Sequence, residues 1–248
     1  MIHYHGTPIS GRDDEAVRVL AGRAAFVSFA APKQIEIVAA SARSFALDNG
    51  AFSAWVGGSP VADWEPFYAW AREWLVHPAC DWAIIPDVID GDEAANDEQL
   101  AAWPDDLDGW GVPVWHLHES LDRLERLSRD YRRVALGSSG AFAQPKAPGW
   151  WRRMHEAWEA LTDDGRPRTK VHGLRMLDPE IVRAFPFASC DSTNVGRNCG
   201  VDQAWRGTHQ PPDRAWRAIL LAARIESAQP PATYTPHAQA VFALETQR

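Results

Sequence analysis

Ser44-Phe-Ala-Leu-Asp48-Asn-Gly50-Ala-Phe52-Ser-Ala-Trp55 runs from a short apolar segment into a carboxylate, a turn and an aromatic residue. The apolar residues before Asp48 favour a short strand, and Asn49-Gly50 is a strong turn signal. Asp48 then stands at the carboxyl end of a strand, where parallel barrels build their active sites. The same residues also fit a hairpin with a type I′ turn, in which Asp48 only supports the loop. The rest of the chain has to decide between these two interpretations.

Apolar segments, nearly all with polar residues at their carboxyl ends, recur outward from this stretch in both directions. Their ends are Pro8, Phe29, Asp87, His116 with His118, Gly137 to Gly140, His172 and Asp191. Helical patterns separate most of the segments, at about 63–77, 92–103 and 150–161, and after the cap residues Ser120, Asp178 and Asp213. About eight strands alternating with helices predict an α/β fold, a (β/α)₈ TIM-type barrel. In the last helix, we expect one inner side to carry Trp216, Ile219, Leu220 and Ala223.

Length and composition predict one domain over residues 1–248, with the barrel at about 1–226 and a C-terminal tail at 227–248. A chain of 248 residues with 46% hydrophobic content can bury one large core. No apolar run approaches the ~20 residues of a membrane span, and the N-terminus lacks signal-peptide features. Three scattered cysteines are too few for a disulfide framework or a Cys-rich zinc site. We therefore expect a soluble, cytoplasmic protein with reduced thiols.

The net charge of -8 is unevenly distributed along the chain. Residues 1–130 carry 9 Lys and Arg against 22 Asp and Glu, whereas residues 131–248 carry 16 against 11. The total argues against a generally basic nucleic-acid binder. The basic half fits either a face that follows a phosphate backbone or a set of solvated helix faces. Its candidate cations are Arg152, Arg153, those of residues 166–170, Arg197, Arg206, Arg214 and Arg217.

The order of the strand ends resembles the active-site series of the tRNA-guanine transglycosylase superfamily, which includes the queuine and archaeosine enzymes. The motifs that carry the resemblance are 47–52, Pro86-Asp87, 116–118, Gly137-Ser-Ser-Gly140, His172-Gly173 and 191–198. It covers roughly residues 1–200. The chain has no match to the family's zinc subdomain, so it looks most like the compact phage and bacterial relatives that place 7-deazaguanines into DNA.

The resemblance implies two catalytic acids and a set of groups around one base. Asp191 corresponds to the nucleophile and Asp48 to the proton acceptor and donor. In the binding pocket, Phe52 would stack on the base and Asp87 would read the purine. The remaining substrate-binding candidates are His116, His118 in place of a family Gln, Gly137, Ser138, Ser139 and Gly140 on the loop that contacts the base carbonyl, and His172 with Gly173 on the other face of the base.

The function implied is that of a pentosyltransferase that exchanges guanine for a 7-deazaguanine through a covalent aspartyl-sugar intermediate. The implied partners are the free base and nucleic acid, DNA rather than tRNA. No cofactor or metal is expected. The phosphates would be held by Arg197, Asn198, Arg152 and Arg153.

Two other classes of function stay open. One is a metal-dependent hydrolase on the same barrel, for which imidazoles and a carboxylate would have to converge as ligands. Its candidate ligands are His3, His5, His116, His118, His172 and Asp191. The other is a non-catalytic nucleic-acid-binding homologue, and the presence of both Asp48 and Asp191 speaks against it.

Overall fold

Strands and helices alternate along the part of the chain that the computed structural model describes, residues 1–9, 12–200, 205 and 207–236. The strands, in chain order, are β1 (Ile2–Gly6), β2 (Ala24–Ser28), β3 (Ser44–Asp48), β4 (Cys80–Ile84), β5 (Gly111–Val112), β6 (Val114–His116), β7 (Arg133–Gly137), β8 (Thr162–Asp163), β9 (Arg166–Pro167), β10 (Lys170–Gly173) and β11 (Ser189–Ser192). Except for β8 and β9, which form a small antiparallel pair, these strands are joined in one parallel sheet.

The helices lie between the strands of that sheet. They are α1 (Asp13–Leu20), α2 (Ile35–Ser41), α3 (Ala51–Val56), α4 (Glu65–Leu75), α5 (Glu93–Ala101), α6 (Leu121–Asp130), α7 (Pro148–Leu161), α8 (Pro179–Ala184), α9 (Asn194–Asn198) and α10 (Arg214–Glu226). Short 3₁₀ turns occur at Pro32–Gln34, Asp105–Leu107 and Gly140–Phe142. None of the described helices is long and apolar enough to cross a bilayer.

The parallel sheet closes on itself through a strand that is broken at Pro113. The strand order is β5-β4-β3-β2-β1-β11-β10-β7-β6, so β5 and β6 occupy the two edges. Only Pro113 separates them along the chain, so they form one interrupted strand that pairs with β4 at its start and with β7 at its end. The ring therefore has eight strand positions, and the predicted TIM-type barrel is confirmed.

Parallel pairing also decides between the two interpretations of the opening stretch. β3 pairs in parallel with β2 on one side and with β4 on the other. A hairpin at Asn49-Gly50 would need an antiparallel partner directly after the turn. Asp48 therefore ends an inner barrel strand, and the turn leads into α3 instead of a second hairpin strand.

Alternate residues of the strands fill the barrel, as the two-residue period of a strand requires. The inner cluster consists of Tyr4, Ala24, Phe26, Ala46, Trp82, Ile84, Val112, Val114 and Ala135. The opposite faces of the strands pack against the helices in a second and larger apolar layer. Burial of both layers fixes the register of each strand, because a shift by one residue would exchange its two faces.

Several of the helix ends follow the capping residues in the sequence. The side chain of Ser120 accepts a hydrogen bond from the Arg123 N–H, and those of Asp178 and Asp213 accept from N–H groups in the first turns of α8 and α10. Pro179 occupies the first turn of α8 as predicted. These caps satisfy N–H groups that would otherwise have no partner within the helix.

The inner face of α10 differs from the prediction. Trp216 is 53% exposed and Leu220 is 38% exposed, whereas the buried residues are Ala215, Ala218, Leu221, Ala222 and Ile225. Small alanines let α10 lie close to its neighbour α1, so the helix buries its alanine side and leaves the tryptophan outside. Part of the predicted tail is ordered, because buried Tyr234 donates a hydrogen bond from its side-chain O–H to the His155 carbonyl oxygen. Residues 237–248 lie outside the described residues.

Candidate active site at the barrel mouth

The turn after β3 places Asp48 at the rim of the barrel. Asp48 follows Ala46 on the inner face and lies beside Ser28 of β2 in the strand register. Gly50 has a φ of +81°, and a Cβ there would lie 2.9 Å from the backbone nitrogen of Ala30. Only glycine fits this close approach in a left-handed conformation. The backbone thus turns sharply into α3 and leaves the Asp48 side chain at the mouth.

The environment of Asp48 tunes this carboxyl to neutral pH. Burial raises the pKa of Asp48 to about 7, and the nearby negative charges of Asp191 and Asp87 add to the shift. Hydrogen bonds from Ser28 and from the backbone of Gly50 act in the opposite direction. A carboxyl that titrates near the working pH can both donate and accept a proton. The mouth therefore brings three carboxyl groups together and leaves one of them suited to proton transfer.

Asp191 reaches the same mouth from β11, with β1 and β2 between its strand and that of Asp48. The Arg175 backbone N–H donates to Asp191 Oδ1 at 2.8 Å, and His172 Nε2 lies 3.3 Å from the same oxygen. Asp191 is only 4% exposed. The structure thus places the two acids that the sequence singles out on one surface, separated by 143 positions of the chain.

Asp87 is held at the rim by two neighbouring side chains. Asn49 donates from Nδ2 to Asp87 Oδ1 at 2.8 Å and to the Ile85 carbonyl oxygen at 2.9 Å. His116 Nε2 lies 3.0 Å from the other oxygen of Asp87. Both contacts cross between neighbouring strands. Asp87 is therefore a fixed acceptor, as a residue that reads a purine edge has to be.

His116 and His118 lie on one side of the mouth, as their spacing predicts. Their rings stack with centroids 5.7 Å apart. His118 is fixed through both nitrogens, with Nδ1 2.7 Å from Ser139 Oγ and Nε2 2.9 Å from the Gly91 carbonyl oxygen. This geometry brings Ser139 to the site as a support for His118.

The loop 137–140 approaches these histidines closely through its two glycines. A Cβ at Gly137 would lie 3.2 Å from His116 Nδ1, and one at Gly140 would lie 3.1 Å from His118 Cβ. Ser138 is turned away, because its Oγ accepts a hydrogen bond from Trp150 Nε1 of α7 at 2.9 Å. The loop therefore brings backbone to the mouth, and Ser138 is a packing residue whose side chain is already engaged.

The ring of Phe52 is covered by a cation, Arg175, that was not predicted from the sequence. The guanidinium carbon of Arg175 lies 3.9 Å from the centre of the Phe52 ring. Partial burial lowers the pKa of Arg175, the charge of Arg197 acts in the same direction, and Asp191 and Asp48 oppose both. The Arg175 side chain thus lies close enough to both carboxyl groups for their charges to act on it. Arg175 lies two residues after the end of β10, but the sequence motifs in this region include only His172 and Gly173.

His172 and Gly173 do not occupy the position predicted for them. His172 has no exposed surface and lies inside the barrel, with its ring centre 4.8 Å from that of Trp82. A Cβ at Gly173 would meet Met176 and Cys190, in the outer packing layer. The prediction that these two residues line a face of the base is wrong, because strand alternation turns one below the mouth and the other outward.

The predicted phosphate-binding residues separate into different environments. Arg153 donates to the carbonyl oxygens of Leu117 and Glu119 and lies over the Trp115 ring, so it fastens α7 to the loop after β6. Arg152 is exposed on α7. Arg197 of α9 lies close enough to Arg175 to influence its charge. Arg153 is therefore a structural residue, and Arg197 is the predicted cation at the mouth.

The Asn198 side chain is engaged within α9, and the basic segment 166–170 lies at the opposite end of the barrel from Arg197. Asn198 donates from Nδ2 to Asn194 Oδ1 at 2.7 Å, a contact within α9. Residues 166–170 run from β9 to the first residue of β10, at the amino ends of the barrel strands and opposite the mouth, where Arg168 and Lys170 border a groove of about 770 Å³. Arg206 lies outside the described residues. Within the described part of the chain, these groups therefore do not form one continuous phosphate-binding face.

The ligands of the metal-site alternative do not converge. His3 Nε2 lies 2.9 Å from the Ala228 carbonyl oxygen, and His5 Nε2 lies 2.9 Å from Glu226 Oε1. Both histidines thus face outward toward α10, because Tyr4 between them points into the barrel. Among the described residues, no group of three or more His, Cys, Asp or Glu could hold a metal ion. The predicted convergence of His3 and His5 with the mouth is wrong.

Comparisons with known proteins support the fold. A solved structure described only as a structural study of a protein from Aquifex aeolicus VF5 is similar to this chain, with a TM-score of 0.50 and 13% identity. The similarity covers 92% of this chain and 93% of that one. No family model and no curated protein matches the chain. At this identity the similarity concerns the barrel architecture alone.

Proposed function

We propose that this chain is a base-exchange transglycosylase that replaces guanine in nucleic acid with a 7-deazaguanine. The observation that carries the proposal is the pairing of Asp191 with Asp48 at one mouth, where the pKa of Asp48 lies at about 7. Exchange at a glycosidic carbon needs a nucleophile that captures the sugar and a second group that moves a proton on the base. These two acids supply both functions.

In the first half of the proposed reaction, the guanine leaves. An Asp191 carboxylate oxygen bonds to C1′ of the sugar as the bond from C1′ to the ring nitrogen of guanine breaks. The electron pair of that bond stays with the base, and protonated Asp48 gives its proton to the base. The products are free guanine and an ester between Asp191 and the sugar, while Asp48 is left as a carboxylate.

The second half of the reaction runs in the opposite direction with the incoming base. Asp48 removes the proton from the ring nitrogen of the 7-deazaguanine, and that nitrogen bonds to C1′ as the ester bond to Asp191 breaks. Both acids return to their starting states. The balance of atoms and charge needs no cofactor, oxidant or metal, so the residues of this chain suffice.

Recognition of the base would use the fixed groups around the acids. The target nucleotide has to leave its stack, which costs a few kcal/mol. Stacking on Phe52 and hydrogen bonding to Asp87 would offset that cost. Arg175 covers one face of the Phe52 ring, so its guanidinium has to move before a base can stack on that face. Arg197 and Arg175 together would place positive charge beside the flanking phosphates. DNA is preferred over tRNA on the resemblance to compact DNA-modifying relatives alone.

The test is incorporation of a labelled base into nucleic acid. Purified protein is incubated with labelled guanine or a labelled 7-deazaguanine, with duplex DNA and tRNA as parallel substrates. We expect label in DNA with the wild-type protein and none with Asp191→Asn, which keeps the shape of the side chain but removes the nucleophile. Incorporation by Asp191→Asn at the wild-type rate would refute the nucleophile. Absence of label in both substrates with every base would refute the proposed function.

A further inference from the structure

Below Asp191, three side chains form a continuous polar chain through the barrel interior. Arg133, at the amino end of β7, donates from Nη1 to Ser189 Oγ at 2.7 Å. Ser189 Oγ lies 2.9 Å from His172 Nδ1, and His172 Nε2 lies 3.3 Å from Asp191 Oδ1. Ser189 and His172 have no exposed surface. The chain thus links the amino end of the barrel to the carboxylate at the mouth without contact with water at its two central members.

The direction of these hydrogen bonds follows from the donors that each group possesses. An arginine side chain can only donate, so Ser189 Oγ accepts from Arg133. The Ser189 O–H is then free to donate to His172 Nδ1. Burial of His172, together with the charges of Arg133, lowers the pKa of this histidine, although Asp191 opposes the shift. Because the Ser189 O–H donates to Nδ1 and the Asp191 carboxylate faces Nε2, the single proton of the neutral ring lies on Nε2, and this N–H donates to Asp191.

This order of donors distinguishes the two oxygens of Asp191. His172 Nε2 and the Arg175 backbone N–H both face Oδ1. Within the described part of the chain, no hydrogen-bond donor is directed at Oδ2. A carboxylate held through one oxygen keeps the other free and oriented, and such fixed orientation is what an attacking group needs.

We propose that Arg133, Ser189 and His172 are positioning residues that lock Asp191 through Oδ1 and leave Oδ2 as the oxygen that attacks the sugar. The role in attack rests on the proposed transglycosylase function. The lock itself does not, because it is a property of the protein without substrate. Arg133 and Ser189 act only through His172, and none of the three touches the base or the sugar.

The lock is tested first without any substrate, by nitrogen-15 NMR of the histidine rings at pH 7. The expected spectrum of His172 shows a protonated Nε2 and an unprotonated Nδ1. His172→Gln identifies the signal by its loss. A His172 with its proton on Nδ1, or with protons on both nitrogens, overturns the proposed chain whatever the protein's activity.

The role in attack is tested by the rate at which the aspartyl-sugar ester forms on a guanine-containing duplex. Ser189→Ala removes the donor to His172 Nδ1, and we expect the rate of ester formation to fall about tenfold at an unchanged KM, the size expected from one lost hydrogen bond. Ser128→Ala is the matched control. Ser128 is also a buried serine near an arginine, but its Oγ donates to the Glu125 carbonyl oxygen, outside the chain.

A second pair of variants separates hydrogen bonding from packing. The Arg133 guanidinium lies 5.2 Å from the centre of the Trp82 ring, so its removal also changes the barrel interior. Arg133→Lys keeps a donor and should retain more of the Nε2-protonated signal and of the rate than Arg133→Met. Equal losses in both variants, with melting temperatures that fall in parallel, would overturn the positioning role.

The outcomes keep this inference separate from the proposed function. If the wild-type protein exchanges no base but His172 has the expected tautomer, the transglycosylase proposal fails and the lock stands. If exchange occurs and Ser189→Ala forms the ester as fast as Ser128→Ala, the positioning role fails and the transglycosylase proposal stands.

Discussion

The acidic residues at the two ends of the barrel have opposite kinds of neighbours. At the amino ends, exposed Asp81 accepts a hydrogen bond from the Tyr4 O–H at 2.6 Å and is attracted to Arg133. At the carboxyl ends, burial raises the pKa of Asp48, and the charges of two nearby carboxyl groups raise it further. One end thus pairs its acid with a donor and a cation, whereas the other places like charges together. Like charges in one mouth reduce stability and are typical of sites that perform chemistry.

The sharpest way to break this comparison is to make the same substitution at both ends. Asp48→Asn removes the group that carries the proton, and we expect the rate of base exchange to fall by at least about 1,000-fold. Asp81→Asn, at the amino end, should leave the rate within about twofold, because the amide keeps an oxygen that can accept from the Tyr4 O–H and Arg133 keeps its hydrogen bond to Ser189.

Both variants are compared in the labelled-base assay, with circular dichroism to confirm folding. A large loss of activity in Asp81→Asn together with a normal rate in Asp48→Asn would reverse the assignment of chemistry to the carboxyl ends.

The dependence of stability on pH gives a smaller effect that needs no substrate. A carboxyl with a raised pKa in the folded state stabilises the protein at low pH and loses that contribution as the pH rises from about 4 through about 7. Asp48→Asn removes this loss, so above pH 7 it should exceed the wild-type free energy of unfolding by about 1–3 kcal/mol.

Urea unfolding at pH 5 and pH 8 measures this difference. The gain in Asp48→Asn should be larger at pH 8 than at pH 5. A gain that is the same at both values, or a variant that is less stable than wild type at pH 8, would show that folding does not raise the pKa of Asp48.

The smallest expected effect belongs to the amino end. Tyr4→Phe removes the O–H that Asp81 accepts, and we expect a loss of about 0.5–1 kcal/mol, because exposed Asp81 can regain its hydrogen bond from water. Base exchange should stay unchanged. The amino end would have to be regarded as part of the functional site in either of two cases. One is a loss of unfolding free energy larger than that from breaking a buried ion pair. The other is a fall in the rate of base exchange.

The alternation of apolar segments and helices was sufficient to predict the barrel, because each strand end carries its own polar signal. The same signal predicted that Asp48 and Asp191 lie at one face. What it did not predict was the direction of side chains within a strand. The strands that carry His3, His5, His172 and Gly173 were predicted correctly. Whether each residue faces the barrel interior or the helices depends on its place in the two-residue period of its strand and on which neighbouring side chains fill the interior.

The sequence also could not predict the roles of residues whose partners are distant in the chain. Arg153 resembles a surface cation in the sequence, but two carbonyl oxygens from the loop after β6 bind it. Arg175 reaches Phe52 and the acids from a left-handed backbone position with a φ of 59°. That conformation is uncommon for arginine and leaves no mark in a hydrophobic pattern. Long-range contacts of this kind require the fold to be known first.

The break at Pro113 gives the barrel a seam with a particular location. The two pieces of the interrupted strand belong to different neighbours, because β5 is bonded to β4 and β6 to β7. At the height of the mouth, the backbone ladder on this side therefore reaches only β7, and the 3.0 Å contact between His116 Nε2 and Asp87 Oδ2 spans the gap. The wall of the site is closed there by a contact between two side chains, which can rearrange, whereas elsewhere around the ring it is closed by the backbone.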